Sequence, residues 1–118
     1  MNEMKIAQAG AFCPLYHQAV ELIGRRWTGA ILRAMLVGVS RFSDFTEAIP
    51  GLSDRMLSER LKELEAAGVI DRCVTPETPV RIEYRLTEKG RALVSVVEAL
   101  SGWAEEWLAD ERPAVARA

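Results

Sequence analysis

Residues 53–67 read SDRMLSERLKELEAA and sort into two faces at helical spacing. At 100° per residue, Leu57, Leu61 and Leu64 share one side, whereas Arg55, Glu59, Lys62 and Ala66 point the other way. The outward set combines a planar five-donor guanidinium, a carboxylate and an ammonium. Ser53, Asp54 and Ser58 add short polar groups at and just after the helix start. Such a set can read polar edges in a groove. Arg55 presents a fork that matches the two acceptors of guanine, and Glu59 can accept from the amino group of cytosine. A glutamate there also repels phosphates and so penalises wrong sites. The segment holds three bases and four acids, so the competing reading is a plain solvated amphipathic helix.

A second chemistry centres on Cys13, which stands immediately before Pro14. Proline suits the first turn of a helix, and the partial positive charge of a helix start favours thiolate over thiol. The competing reading is a small hydrophobe packed at a subunit interface. Cys13 and Cys73 are too few for a disulfide framework or a four-thiolate zinc site. His17, the single histidine, makes a histidine-based metal centre or catalytic triad a poor fit. No phosphate-cradling loop occurs either, so neither an enzyme nor a bound cofactor or metal is expected.

These groups must be positioned by one domain. The chain has 118 residues, 49% of them hydrophobic and 27% charged, enough for a real core and too apolar for disorder. No stretch approaches the roughly 20 apolar residues of a membrane span. The start MNEMKIAQAG lacks the basic and apolar regions of a secretory signal, so a reducing cytoplasmic setting is expected. Net charge is −2, but it is unevenly spread: +4 over residues 24–41, +2 over 72–91 and −3 over 92–118. Two basic segments can meet phosphates if the fold brings them together.

The coarse reading is mostly helical with one hairpin. Residues 1–12 are expected to form a flexible arm. A first helix follows Pro14, with Leu15, Ala19, Leu22 and Ile23 on one face and Gly24 as its stop. A second runs from Trp27 to Leu36 with the stripe Trp27, Ile31, Ala34 and Met35, then Gly38. Ser40-Arg41-Phe42 is long enough only for a bridge or short strand, and a short helix covers Ser43 to Ala48. Pro50-Gly51-Leu52 makes a sharp turn, Ser53 caps the next helix, and Gly68 ends it. Val69–Thr75 and Val80–Leu86 are strands around the turn at 76–79, with Val80, Ile82, Tyr84 and Leu86 on one face and Arg81, Glu83 and Arg85 on the other. Thr87 caps a final helix of about 20 residues spanning 88–109. Its apolar positions, including Leu100, Trp103, Trp107 and Leu108, make a stripe wider than one core face requires.

A short helix, a glycine-containing turn and a longer helix form a helix-turn-helix, and a hairpin directly after it is a wing. The runs CPLYHQAVELIGRRWTGAILRAML, RFSDF, IPGLSDRMLSERLKELEAAGVIDR and PETPVRIEYRLTEKG resemble the HxlR-type winged helix-turn-helix regulators, relatives of the MarR group. The resemblance covers residues 12–108. It implies a single α+β domain over 1–118, with a recognition helix at 53–67, a wing at 69–86 and a dimerisation helix at 88–109. It implies a homodimeric repressor on an inverted-repeat operator in double-stranded DNA, joined through its N- and C-terminal helices. Some members sense electrophiles or oxidants through a cysteine just before the proline of the first helix, the place of Cys13.

On this reading the DNA-contacting candidates are Ser53, Asp54, Arg55, Ser58, Glu59 and Lys62, with Arg81 past the wing turn and Arg41 beside the motif. Arg25 and Arg26 either clamp phosphates or pair with an acid of the last helix. Leu15, Leu100, Trp103 and Trp107 are assigned to the dimer interface. Trp27, Trp103 and Trp107 read as core or dimer contacts more readily than as the lining of an effector pocket. His17 is placed on the first helix surface or at the dimer seam. A protein-interaction module that kept the winged fold without operator binding is the other functional class.

Overall fold

The computed structural model describes residues 10–111. The expected arm at 1–12 falls mostly outside the described residues, and residues 10–13 belong to no helix or strand. The elements are α1 Pro14–Ile23, α2 Thr28–Leu36, α3 Phe42–Ala48, α4 Asp54–Ala66, β1 Ile70–Thr75, β2 Arg81–Leu86, α5 Glu88–Arg91 and α6 Val94–Leu108, then a 3-10 turn at Ala109–Glu111. The architecture is mostly helical with one two-stranded antiparallel sheet. Among the described residues no helix is long and apolar enough to cross a membrane.

The core is built by α2, α3 and α4. Ile31, Leu32 and Met35 of α2 meet Phe45 of α3, Leu52 of the turn and Leu57, Leu61 and Leu64 of α4, and all of these are buried. Local chemistry fixes the ends of α4. Ser53 Oγ accepts the Met56 N–H at 3.1 Å, satisfying one donor of the first turn. At the other end Gly68 takes φ +76°, the Gly68 N–H donates to the Glu65 carbonyl, and the Val69 N–H donates to the Leu64 carbonyl. This is a Schellman closure, and the apolar contact that accompanies it comes from the buried Val69 and Leu64. The same pair of bonds closes α2 around Gly38.

The strands pair in the register Ile70↔Leu86 through Thr75↔Arg81. Val80 therefore lies outside the ladder and is exposed, although the alternating pattern assigns it to the strand. Pro76 and Pro79 in the turn have no N–H to offer a ladder, so the loop opens to residues 76–80. The expected bridge at Ser40 is a single bond: the Tyr84 N–H donates to the Ser40 carbonyl at 2.8 Å.

The last helix also differs from expectation. Instead of one run over 88–109, α5 makes one turn, Ala92 and Leu93 turn, and α6 follows. The Leu93 N–H reaches back only three residues, to the Gly90 carbonyl. The cause is long-range. Thr87 Oγ accepts the Gly90 N–H and lies 2.6 Å from the Gly68 carbonyl oxygen, while Lys89 Nζ donates to the Ala67 carbonyl. α5 is thereby pinned to the C-terminal end of α4, and Gly90 is buried against Val69. α1 and α6 stand apart from this body in one respect: neither contains a buried residue.

A Cβ at position 90 would overlap the Val69 carbonyl oxygen and lie 3.0 Å from Leu86 Cδ2. Gly90→Ala should therefore destabilise the protein by about 1–3 kcal/mol, because backbone must move to admit the methyl group. Urea unfolding checks this; an unchanged midpoint would contradict the packing described.

Candidate nucleic-acid interface

Because α4 is held by its leucine face, its opposite face is free of any core duty. Ser53, Asp54, Arg55, Glu59 and Lys62 are exposed and Ser58 is half-buried. All six lie on or immediately before α4, within its first three turns. The Arg55 side chain is 89% exposed, and its Nε lies 3.5 Å from Glu59 Oε1. The two groups suited to base edges thus hold each other in the free protein. An exposed pair of this kind contributes about 0–1 kcal/mol, so exchanging it for a base or phosphate costs little.

The hairpin shows the same arrangement. Arg81 opens β2 and its Nε lies 3.6 Å from Glu77 Oε2; Arg85, on the same strand face, has Nη2 at 3.4 Å from Glu83 Oε1. Glu83 Oε2 accepts from Ser40 Oγ at 3.3 Å, next to the main-chain bond from Tyr84 to Ser40. Two bonds therefore dock the hairpin on the segment that leads into α3. Arg41 follows Ser40, is exposed, and occupies the N-cap position of α3 without a side-chain cap. The structure thus places Arg41 one residue from the docking point of the hairpin.

Arg25 and Arg26 correct one expectation. The acid that meets Arg25 belongs to α4, not to the last helix: Arg25 Nε lies 3.3 Å from Glu63 Oε1. Arg26 stacks its guanidinium 5.1 Å from the Trp27 ring centroid. The carbonyl of Arg26 accepts from Arg60 Nε at 2.9 Å, and Arg60 Nη1 donates to Glu63 Oε2 at 3.0 Å. Arg60 is only 6% exposed. Reading by charge missed it, yet a signal was present. Position 60 falls 60° from Leu57 and 40° from Leu64, at the edge of the buried face, with an acid three residues on.

Cys13 is a free, exposed thiol at the N-cap of α1, and Cys73 is a free, half-buried thiol in β1 opposite Glu83. His17 lies on the exposed surface of α1, 3.7 Å from Glu21. Leu15 is 77% exposed on α1, and Leu100, Trp103 and Trp107 are 65%, 53% and 57% exposed on α6. Trp27 packs partly buried on the core. A cleft of about 560 Å³ between α1, α2 and α6 is lined by Tyr16, Val20, Ile23, Val97 and Leu100 among others, and by none of the three tryptophans.

The described geometry is a helix-turn-helix followed by a wing. The family model of the HxlR-like helix-turn-helix matches residues 22–112. The chain belongs to the HxlR-like family. Among HxlR-like relatives, YvaP of Bacillus subtilis, an HTH-type transcriptional regulator, is 52% identical over 96 residues, which cover 81% of this chain and 89% of YvaP. The reduced form of the transcriptional regulator YodB from B. subtilis superposes with a TM-score of 0.74 at 44% identity, covering 84% of this chain and 97% of YodB. YodB has also been solved after diamide treatment and with quinone bound. The redox regulator HypR in its oxidised form superposes with a TM-score of 0.73 at 37% identity, covering 80% of this chain and 96% of HypR. The HxlR-like fold accounts for the exposed polar face of α4 and the docked hairpin, since both are elements of a winged helix-turn-helix.

Proposed function

We propose that this HxlR-like chain is a cytoplasmic, sequence-specific DNA-binding transcriptional regulator that represses as a homodimer on an inverted-repeat operator. The observation that carries this reading is the outer face of α4, which exposes Arg55, Glu59 and Lys62 and contributes nothing to the core. A helix of this width fits the major groove, with residues near its N-terminus nearest the base edges. In the proposal Arg55 and Glu59 read bases, aided by Ser53, Asp54, Ser58 and Lys62. Arg81 and Arg41 meet backbone phosphates from the wing and from the start of α3. The names of YvaP and YodB as HTH-type transcriptional regulators support the reading. No step of it involves catalysis.

The homodimer is proposed from the terminal helices. Leu15 on α1 and Leu100, Trp103 and Trp107 on α6 would make a large exposed apolar patch on a monomer. A second copy would cover it, in an obligate interface of upward of about 2,000 Å².

Cys13 is proposed as the site of a response to electrophiles or oxidants. Its exposure supports access, and its place at the start of α1 puts any modification beside the helix assigned to the dimer. YodB with quinone and HypR oxidised are relatives whose chemistry points the same way. Addition of the thiol to a quinone forms one C–S bond and yields the hydroquinone thioether, with no further reductant. With diamide and a small thiol a mixed disulfide forms, and diamide takes up both hydrogens.

Selection from random duplex DNA by the purified protein should yield a pseudo-palindrome with half-sites roughly 34–36 Å apart. Arg55→Ala should cost about 1–3 kcal/mol on the selected duplex and relax one base position. Arg81→Ala should weaken binding to all duplexes alike and flatten the salt dependence. Equal affinity for selected and scrambled duplex at physiological salt would count against specific readout, and no salt-dependent binding to either would favour the protein-interaction reading. For the thiol, diamide or a quinone should change the operator affinity of wild type and leave Cys13→Ser unaffected. If both proteins respond alike, or neither responds, Cys13 is a packing residue.

A further inference from the structure

The contacts of Arg60 raise a question that stability does not answer. A buried guanidinium carries a desolvation cost, and replacing a buried ionic group with an apolar side chain of similar volume is often neutral or stabilising. Position 60 borders Leu57, Leu61 and Leu64, where such a side chain would pack. What arginine supplies instead is direction. Apolar packing tolerates small rotations of a helix about its axis, whereas a planar fork that is held in place by a carboxylate of its own helix and bonded to a carbonyl of another segment does not.

Both acceptors are informative. One is the carbonyl of Arg26, in the link between α1 and α2, at 2.9 Å. The other is Glu63 on α4 itself, whose second oxygen is engaged by Arg25 from the same link. Two consecutive residues of the link are thus gripped by α4, one through its main chain and one through its side chain. The link is itself stiff. Trp27, which follows, holds φ +78°, a left-handed conformation that is costly for a non-glycine residue. Arg26 stacks on the Trp27 ring. The edge of that ring also lies against Gly51 in the turn of the motif, Cη2 being 3.3 Å from where a Cβ would stand.

The consequence for the outer face follows from helix geometry. Groups on the surface of a helix lie about 5–6 Å from its axis, so a rotation of about 20° moves them by roughly 2 Å. That exceeds the window within which a hydrogen bond to a base edge survives. We infer that Arg60 is a positioning residue for base readout: with Glu63 it sets the rotation of α4 against the link at Arg25 and Arg26, so that Arg55 and Glu59 meet base edges in register. The inference rests on the DNA-binding reading proposed above.

The test compares affinities for the duplex selected by wild type and for a scrambled duplex, across a salt series. Glu63→Gln and Arg25→Gln keep the bond from Arg60 to the Arg26 carbonyl, so both should fold even if Arg60→Met does not. In each folded variant the ratio of selected to scrambled affinity should fall roughly three- to tenfold. The salt slope should stay that of wild type, because no phosphate contact is lost. Arg60→Lys should not restore the ratio, since an ammonium lacks the fork. A ratio unchanged in Glu63→Gln and Arg25→Gln would overturn the inference and leave the network a structural one. A uniform fall on both duplexes with a flatter slope would also overturn it, and would make Arg25 a phosphate contact. If wild type itself fails to discriminate, the DNA reading falls and takes this inference with it, a result distinct from the other two.

Discussion

The constraint on which the whole arrangement depends is that the chain closes only one core. α2, α3 and α4, with the base of the hairpin, bury their apolar residues against one another. α1 and α6 bury no residue fully: Leu22 and Ile23 of α1 pack partly on that core, but Leu15 on α1 and Leu100, Trp103 and Trp107 on α6 remain in water in the single chain. Burial of apolar surface stabilises by about 25 cal/mol per Å², so leaving two helices uncovered forfeits many kilocalories that a second copy can supply. The proposed dimer is thus a completion of the hydrophobic core and, through it, the device that would set the separation of two α4 helices. Half-site spacing and any effect of a modified Cys13 depend on that closure.

Within the closed body, the polar bonds are concentrated at the junctions between elements. Thr87, Lys89 and Arg91 each reach a main-chain carbonyl at the end of a preceding element. Ser40 holds the hairpin, and Arg60 holds the link between α1 and α2. Apolar packing brings the helices together, while these bonds decide how each is turned. A winged helix-turn-helix needs that second kind of control, because its outward groups must meet a rigid partner of fixed geometry. The protein meanwhile keeps several of its outward arginines beside glutamates, which limits their unshielded charge.

Much of the architecture was legible in the sequence because its signals are local. The leucine spacing, Ser53, Gly68 and the alternation from Ile82 to Leu86 each report on neighbours within a few residues. What was not legible depends on contacts across the chain. Gly90 sits in what reads as a continuous helix, and the contacts that break it, from Thr87 and Lys89 to the end of α4 with Gly90 buried against Val69, all come from about 20 residues away. Val80 continues an alternating pattern, but prolines in the turn end the ladder before it. Charge reading left Arg25 and Arg26 between a phosphate clamp and an acid of the last helix, whereas the acid that Arg25 meets is on α4. Arg60 was passed over because charge suggested surface, although its angular position set it beside the leucines. The outward residues of α4 were legible as a set, because helical spacing alone puts them on one face.

The measurement that bears most directly on the central claim is sedimentation equilibrium of the purified protein from nanomolar to micromolar concentration. A dimer closed through α1 and α6 gives a species of twice the 13.1 kDa chain mass at micromolar concentration, and that species is lost when Leu100 and Trp103 are both replaced by glutamate. A monomer of wild type at micromolar concentration, with α1 and α6 stably folded, would contradict it.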